Sequence, residues 1–129
     1  MAESRFNDGD LEKQVAELSD HIANMGQVDL LCSTYDTSGT TERTLNDGKK
    51  FSEYRYVYIV LWYNRLNSAQ NMASNIVPID LFKTWSYASV ARAYVGTTHH
   101  AVGVKYVSDT TCNAFVTDTA DECRVYGIK

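Results

Sequence analysis

The spacing of apolar residues changes near Gly26, and this change constrains the fold of the 129-residue chain more than any other feature. Before it, apolar positions alternate at intervals of four and three, at Leu11, Val15, Leu18, Ile22 and Met25. That spacing is the heptad seam of a coiled coil. From Val28 onward the period falls to two, which is typical of strands. We therefore predict a stalk helix over residues 10–26, capped by Asp10, and an all-β head over residues 27–129.

The apolar stripe on this helix is narrow, because the positions between the seam residues are mostly polar. A helix that lies on a sheet usually presents a wider apolar face, so the narrow stripe favours a coiled coil and hence an oligomer. The seam alone does not decide between a coiled coil of two helices and one of three. The alternative is an amphipathic helix that packs across its own sheet. Residues 1–9 are predicted to be a flexible N-terminus.

The rest of the chain predicts about eight short strands. The segment Tyr54–Tyr63 is apolar on both faces, which indicates a central strand with Trp62 in the core. Residues 89–96 and 101–107 alternate as the two halves of a hairpin joined by the turn "TTHH". Pro78 belongs at a strand edge or bulge, since it cannot donate to a ladder. Short strands separated by turn residues predict a β-sandwich or a jelly-roll-like head.

The three cysteines are predicted to be reduced and mostly buried. A hairpin that turned around residues 118–121 would place Cys112 opposite Gly127 and Cys123 opposite Val116. In that register Cys112 and Cys123 are too far apart for a disulfide.

Composition and motifs narrow the function classes. The net charge is −4 and the basic residues are scattered, which argues against nucleic-acid binding. No apolar run is long enough for membrane insertion, and the first residues lack the apolar core of a secretory signal, so we expect synthesis in a cytoplasm. The local motifs of hydrolases and phosphate-binding loops are missing, so we predict a protein that is not an enzyme. A glycosidase stays open as an alternative, because its two carboxylates need no local motif.

Four residues are candidates for binding a saccharide: Trp85, Tyr87, Asp118 and Asp121. Aromatic rings cover the apolar face of a sugar while carboxylates meet its hydroxyl groups. The alternatives are that the two rings close one end of the sandwich and that the two aspartates form a turn. His99 and His100 are interpreted as a solvated turn, because neighbouring strand residues point to opposite faces and could hardly share an ion. We therefore predict no metal site and no cofactor.

The order of segments in the β region resembles the C-terminal head domain of tail fibre and receptor-binding (baseplate) proteins of tailed bacteriophages. The segments that carry the resemblance are "DLLCSTY", "FSEYRYVYIVLWY", "NIVPIDLF", "VGVKYVSDTT" and the terminal "CRVYGIK". They span about residues 28–129, and Cys32 departs from the pattern, since relatives often have Trp there. In that family a short N-terminal stalk carries a compact β head.

The resemblance implies a homotrimeric, noncatalytic fibre tip located in the virion and attached to other tail proteins. Its head would recognise a host cell-surface saccharide, and three weak sites on one trimer would raise avidity. Two sister chains would then be the partners of the seam residues Leu11, Val15, Leu18, Ile22 and Met25. The alternatives are a structural virion protein without a ligand, such as a capsid decoration or tail component, and a glycosidase that trims polysaccharide.

Overall fold

The computed structural model describes residues 8–24, 26–39, 41–63 and 70–129. Within them lie a long helix α1 (Asp8–Asn24), a short helix α2 (Ile79–Thr84) and eight strands. The strands are β1 (Val28–Thr34), β2 (Glu42–Thr44), β3 (Tyr56–Tyr63), β4 (Gln70–Pro78), β5 (Ser89–Val95), β6 (Thr98–Ser108), β7 (Thr111–Val116) and β8 (Asp121–Ile128). The predicted all-β class is confirmed. In the described part of the chain, neither helix combines the length and apolar character needed to span a membrane.

The strands form two antiparallel 4-stranded sheets that pack against each other. Sheet A has the order β1-β8-β3-β4 and sheet B the order β2-β7-β6-β5. The core lies between them, and its fully buried members from both sheets include Leu31, Val57, Ile59, Leu61, Val102, Val104, Val116 and Val125. The predicted central position of the apolar strand is confirmed, because β3 pairs with β4 on one side and β8 on the other. The jelly-roll-like arrangement stays a prediction.

Helix α1 does not rest on either sheet along the part whose side chains are described. All side chains from residue 11 to residue 19 are exposed, and Leu11, Val15 and Leu18 are 51%, 55% and 58% exposed. The helix packed across its own sheet is therefore not what the structure contains over these residues. The side chain of Ile22, and Met25 altogether, lie outside the described residues.

The C-terminal end of α1 is held close to the head. Gly26 follows the helix with a φ of 76°, the left-handed conformation that favours glycine at a helix stop. Its N–H donates to the Lys129 carbonyl at 3.3 Å, and the Lys129 N–H donates to the Gln27 carbonyl at 3.0 Å. The helix thus emerges beside the paired ends of β1 and β8.

The hairpin expected around residues 118–121 is wrong. Strand β7 pairs with β2 and β6 in sheet B, whereas β8 pairs with β1 and β3 in sheet A. The connection between them therefore crosses from one sheet to the other. Alternation revealed both strands correctly but could not show that each finds its partners elsewhere in the chain.

All three cysteines are free and buried, as predicted. The Sγ atoms of Cys32 and Cys112 lie 3.6 Å apart across the two sheets, well beyond the length of a disulfide bond. The pKa of the Cys112 thiol is raised by its hydrogen bond with Cys32 and by burial. Burial likewise raises the pKa of Cys123. The hydrogen bond with Cys112 lowers the pKa of Cys32, so the protection of that thiol rests on its burial. Few thiolates of Cys112 and Cys123 are available for reaction in the native protein.

We expect a thiol reagent to label the native chain at least about a hundredfold more slowly than the unfolded chain, since exposing these thiols requires opening the core at a cost above about 3 kcal/mol. The measurement is disulfide exchange followed by absorbance, with and without concentrated guanidinium chloride. All three thiols should react once the chain is unfolded. Immediate labelling of any thiol in native buffer would contradict the buried arrangement.

The predicted hairpin of β5 and β6 is confirmed, but its turn is shorter than expected. Val95 pairs with Thr98, so the turn contains only Gly96 and Thr97. Gly96 has a φ of 63°, as the first central residue of a two-residue hairpin turn requires. The assignment of His99 and His100 to a solvated turn is therefore wrong, because both lie in strand β6.

Two further expectations need correction. Trp62 is only half-buried on the outer face of sheet A, where the Arg124 guanidinium lies 3.9 Å from its ring centre, so it is not a core residue. Pro78 does end the edge strand β4, as predicted, but the chain then forms α2 instead of continuing as a strand. Pro78 supplies the residue before that helix, where a missing N–H costs nothing to the helical hydrogen bonds.

Candidate functional site

A groove of about 400 Å³ opens between the edge strands of the two sheets. Strand β4 supplies one wall and β5 the other, while α2 and the segment after it close one end. The lining residues are Asn75, Ile76, Val77, Pro78, Leu81, Trp85, Ala88, Ser89, Val90 and Arg92. The volume lies within the range of small-ligand pockets, about 300–1,000 Å³.

The local sequence explains why Trp85 reaches this groove. Pro78 ends β4, and the six residues of α2 turn the chain toward sheet B. Phe82 is the buried residue of α2 and fixes the helix on the sandwich. The Trp85 N–H then donates to the Leu81 carbonyl at 3.0 Å, which ends the helix and leaves the indole 51% exposed.

The groove combines an aromatic surface with polar and charged groups. Trp85 offers an exposed ring, and Ile76 and Leu81 add exposed apolar surface at 55% and 47%. The Asn75 amide donates to the Val90 carbonyl at 3.1 Å, so it joins the two walls. Arg92 is the charged residue among those that line the groove. This surface suits a ligand with an apolar ring face and a negatively charged substituent.

The structure does not bring the four candidate saccharide residues together. Trp85 lines the groove, whereas Tyr87 is 77% exposed and is not among the lining residues. The aspartates lie near the far end of β3: Pro78 pairs with Tyr56 at its beginning, while Asp121 pairs with Tyr63 at its end. These ends are about 23 Å apart at 3.3 Å per residue.

Asp118 and Asp121 have different surroundings. Asp118 forms the turn that the sequence suggested, since its Oδ1 accepts from the Ala120 N–H at 2.8 Å and its carbonyl accepts from the Asp121 N–H at 3.0 Å. Asp121 is fully buried, so a saccharide in solvent cannot meet its carboxylate. One of its oxygens, Oδ2, lies 2.6 Å from Nδ1 of His100.

His100 is the residue that the sequence interpretation missed. It is 1% exposed on β6, between the sheets, with the Tyr63 ring edge-on at a centroid distance of 5.8 Å. His99 is exposed on the opposite face of the strand, as the alternation of neighbouring residues requires. The signal that could have revealed this placement is Gly96, because a two-residue turn starting there puts both histidines in the strand.

The outer face of sheet A carries a further apolar surface, which we call the outer patch: Val28, Leu30, Tyr56, Ile76, Tyr58, Tyr126 and Ile128. These side chains lie side by side on adjacent strands, because Ile128 of β8 pairs with Val28 on one side and with Tyr56 on the other. Val28, Leu30, Tyr56 and Ile76 are 49%, 40%, 41% and 55% exposed. The outer patch begins at Val28, directly after α1.

The described part of the chain therefore offers two places for a ligand, the solvent-open groove and the largely closed group around His100. It also presents two exposed apolar surfaces, the seam of α1 and the outer patch. No protein-family model, no curated protein and no solved structure matches this chain.

Proposed function

We propose that the chain is the tip of a bacteriophage tail fibre or receptor-binding protein, a noncatalytic homotrimer that attaches a virion to a host cell-surface saccharide. The observation that carries the proposal is the exposed seam of α1, since a helix whose apolar side chains avoid its own head needs a partner from outside the chain. The sequence resemblance supplies the family and the number of chains. The remaining tail proteins of the virion would then be its structural partners.

Two features support sister chains as the partners of α1. Gly26 and Gln27, which lie between α1 and β1, bond to Lys129 of the head, so a coiled coil through the seam would bring neighbouring heads close to one another. The outer patch begins at Val28 and, apart from Ile76, which lines the groove, would continue the contact from stalk to head. Exposed apolar surfaces of this kind mark protein interfaces, and a second and third copy of this chain are the occupants that we propose.

The groove supports saccharide recognition. Trp85 would cover the apolar face of a sugar ring, and Arg92 would bind a carboxylate or phosphate substituent. We therefore propose an acidic surface saccharide as the ligand class. Trp85 keeps the role that the sequence suggested, while Arg92 replaces the two distant aspartates as the charged partner. One groove per chain gives three per trimer, and simultaneous binding strengthens attachment to a polymer.

We expect Trp85→Ala to weaken binding to cell walls of the host about tenfold to a hundredfold per site, because the ring loses its apolar contact with the sugar. The measurement is co-sedimentation of the full chain with cell walls from a panel of bacteria. Tyr94→Ala is the control, since Tyr94 is an exposed aromatic residue, at 69% against 51% for Trp85, that does not line the groove.

Three results would contradict the proposal. Equal losses for Trp85→Ala and Tyr94→Ala would remove the groove as the binding site. A wild-type chain that binds no cell wall in a panel containing the host would favour a structural virion protein. Release of reducing ends from the bound polymer would make the chain a glycosidase.

A further inference from the structure

A cluster of three side chains lies between the two sheets at the end of β3 away from α2. We call it the His–Asp cluster, and its members are His100, Asp118 and Asp121. His100 lies on β6 in sheet B and Asp121 on β8 in sheet A, while Asp118 lies in the connection that crosses between them. The His100 Nδ1 atom is 2.6 Å from Asp121 Oδ2 and 4.0 Å from Asp118 Oδ2. One potential ligand atom from each residue falls within 4.8 Å of the others.

The second observation is a buried carboxylate oxygen that nothing described satisfies. Asp121 is 0% exposed, and its Oδ1 atom has no hydrogen-bond partner among the residues that the structure describes. A buried, unsatisfied polar atom destabilises the folded chain, and more so when its group is charged.

We propose that the His–Asp cluster binds one divalent transition-metal ion of the zinc class. His100 Nδ1, Asp118 Oδ2 and the carboxylate of Asp121 would be its ligands. An imidazole nitrogen combined with carboxylates suits Zn²⁺ better than Ca²⁺ or Mg²⁺, which prefer ligand sets made of oxygen alone. Asp118 is the entry side, because its side chain is 21% exposed while the other two are closed to solvent.

The required movement is small. Ligand atoms around a tetrahedral Zn²⁺ lie about 3.3 Å apart, as bond lengths of about 2.0–2.1 Å dictate. The contact between His100 and Asp121 would open from 2.6 Å, and that between His100 and Asp118 would close from 4.0 Å. Each of these two changes is about 0.7 Å, and the Asp118 and Asp121 ligand atoms, within 4.8 Å of each other, would close by at most about 1.5 Å. Any proton held between Nδ1 and Oδ2 would be released to solvent when the metal binds.

Such an ion would stabilise the head. It would link the two sheets and the β7–β8 connection at a point where the chain has no disulfide. Because the three ligands meet only in the folded chain, binding would favour the native state. The role is independent of saccharide binding, since none of the three ligands lines the groove.

The test uses the full chain after treatment with a chelator, titrated with ZnCl₂ alone. We expect saturable binding of one ion per chain by calorimetry. At a hundredfold excess over the dissociation constant, we expect a rise in the melting temperature of about 5–10 °C. Asp118→Asn should abolish both effects, and its partial exposure makes it the variant most compatible with folding.

His99→Gln is the matched control, because His99 is the exposed neighbour of His100 on the same strand and should leave binding unchanged. Binding that survives Asp118→Asn, or that His99→Gln removes, would overturn the proposal. So would the absence of saturable binding up to about 100 μM Zn²⁺, since a site of three protein ligands should be stronger. A larger stabilisation by CaCl₂ than by ZnCl₂ would refute the metal class.

Discussion

The Leu18→Asp variant is expected to lower the solution mass of the protein from about three chains to one. Leu18 lies in the middle of the seam on α1 and is 58% exposed in the single chain. In a coiled coil, three copies of the new carboxylate would face one another without a partner, and burying such a charge costs several kcal/mol per ion. Light scattering at micromolar concentration measures the change directly.

Ser19→Asp provides the matched control for this prediction. It adds the same charge one residue further along α1, outside the seam, and Ser19 is also exposed. The control should therefore keep the mass of the wild-type protein. If Leu18→Asp keeps that mass as well, the seam is not the interface. A chain starting at Gln27 would then show whether the outer patch alone holds the heads together.

The Phe82→Ala variant is expected to lower the free energy of unfolding by about 3–5 kcal/mol. Phe82 is 1% exposed, and its ring centre lies 5.1 Å from that of Phe51 and 6.0 Å from that of Tyr106. Removing the ring leaves a cavity beside the Phe51 and Tyr106 rings, and the surrounding side chains relax only partly. Urea unfolding followed by tryptophan fluorescence measures the loss.

Leu81→Ala is the control for Phe82→Ala, because Leu81 precedes it in α2 but is 47% exposed. Its change should stay below about 1 kcal/mol. A loss below about 1 kcal/mol for Phe82→Ala would show that the aromatic contact does not hold α2 in place. Since α2 closes one end of the groove, we also expect Phe82→Ala to weaken saccharide binding without removing any residue that lines the groove.

Much of the fold could be predicted from the sequence, because the spacing of apolar residues shows which face of each helix or strand is buried. The heptad spacing predicted a helix before Gly26, and the two-sided apolar segment predicted the central strand β3. The position of Pro78 at the end of an edge strand follows from its missing N–H. The burial of all three thiols follows from the general preference of cysteine for cores.

The errors in predicting the fold have three separate physical causes. A period of two identifies a strand but not its partner, so β7 and β8 were assigned to one hairpin when they belong to different sheets. A turn predicted at residues 97–100 instead of 96–97 moved His100 from a buried strand position to solvent. Helix α2 was hidden because its six residues are too few to show a helical period.

Some residues of the candidate sites could be identified from the sequence, and others only from the structure. Trp85 could be singled out from the sequence because it is a large ring in a polar segment, and the structure places it in a groove. The sequence by itself determined the helix and most of the strands, whereas the exposure of the seam was decided by the structure. Only the tertiary structure decided that Arg92 joins Trp85 and that His100 meets Asp121 across the two sheets. Long-range contacts of this kind arise when two sheets bury their apolar faces together. The local sequence pattern does not show which polar side chains this packing brings within bonding distance of each other.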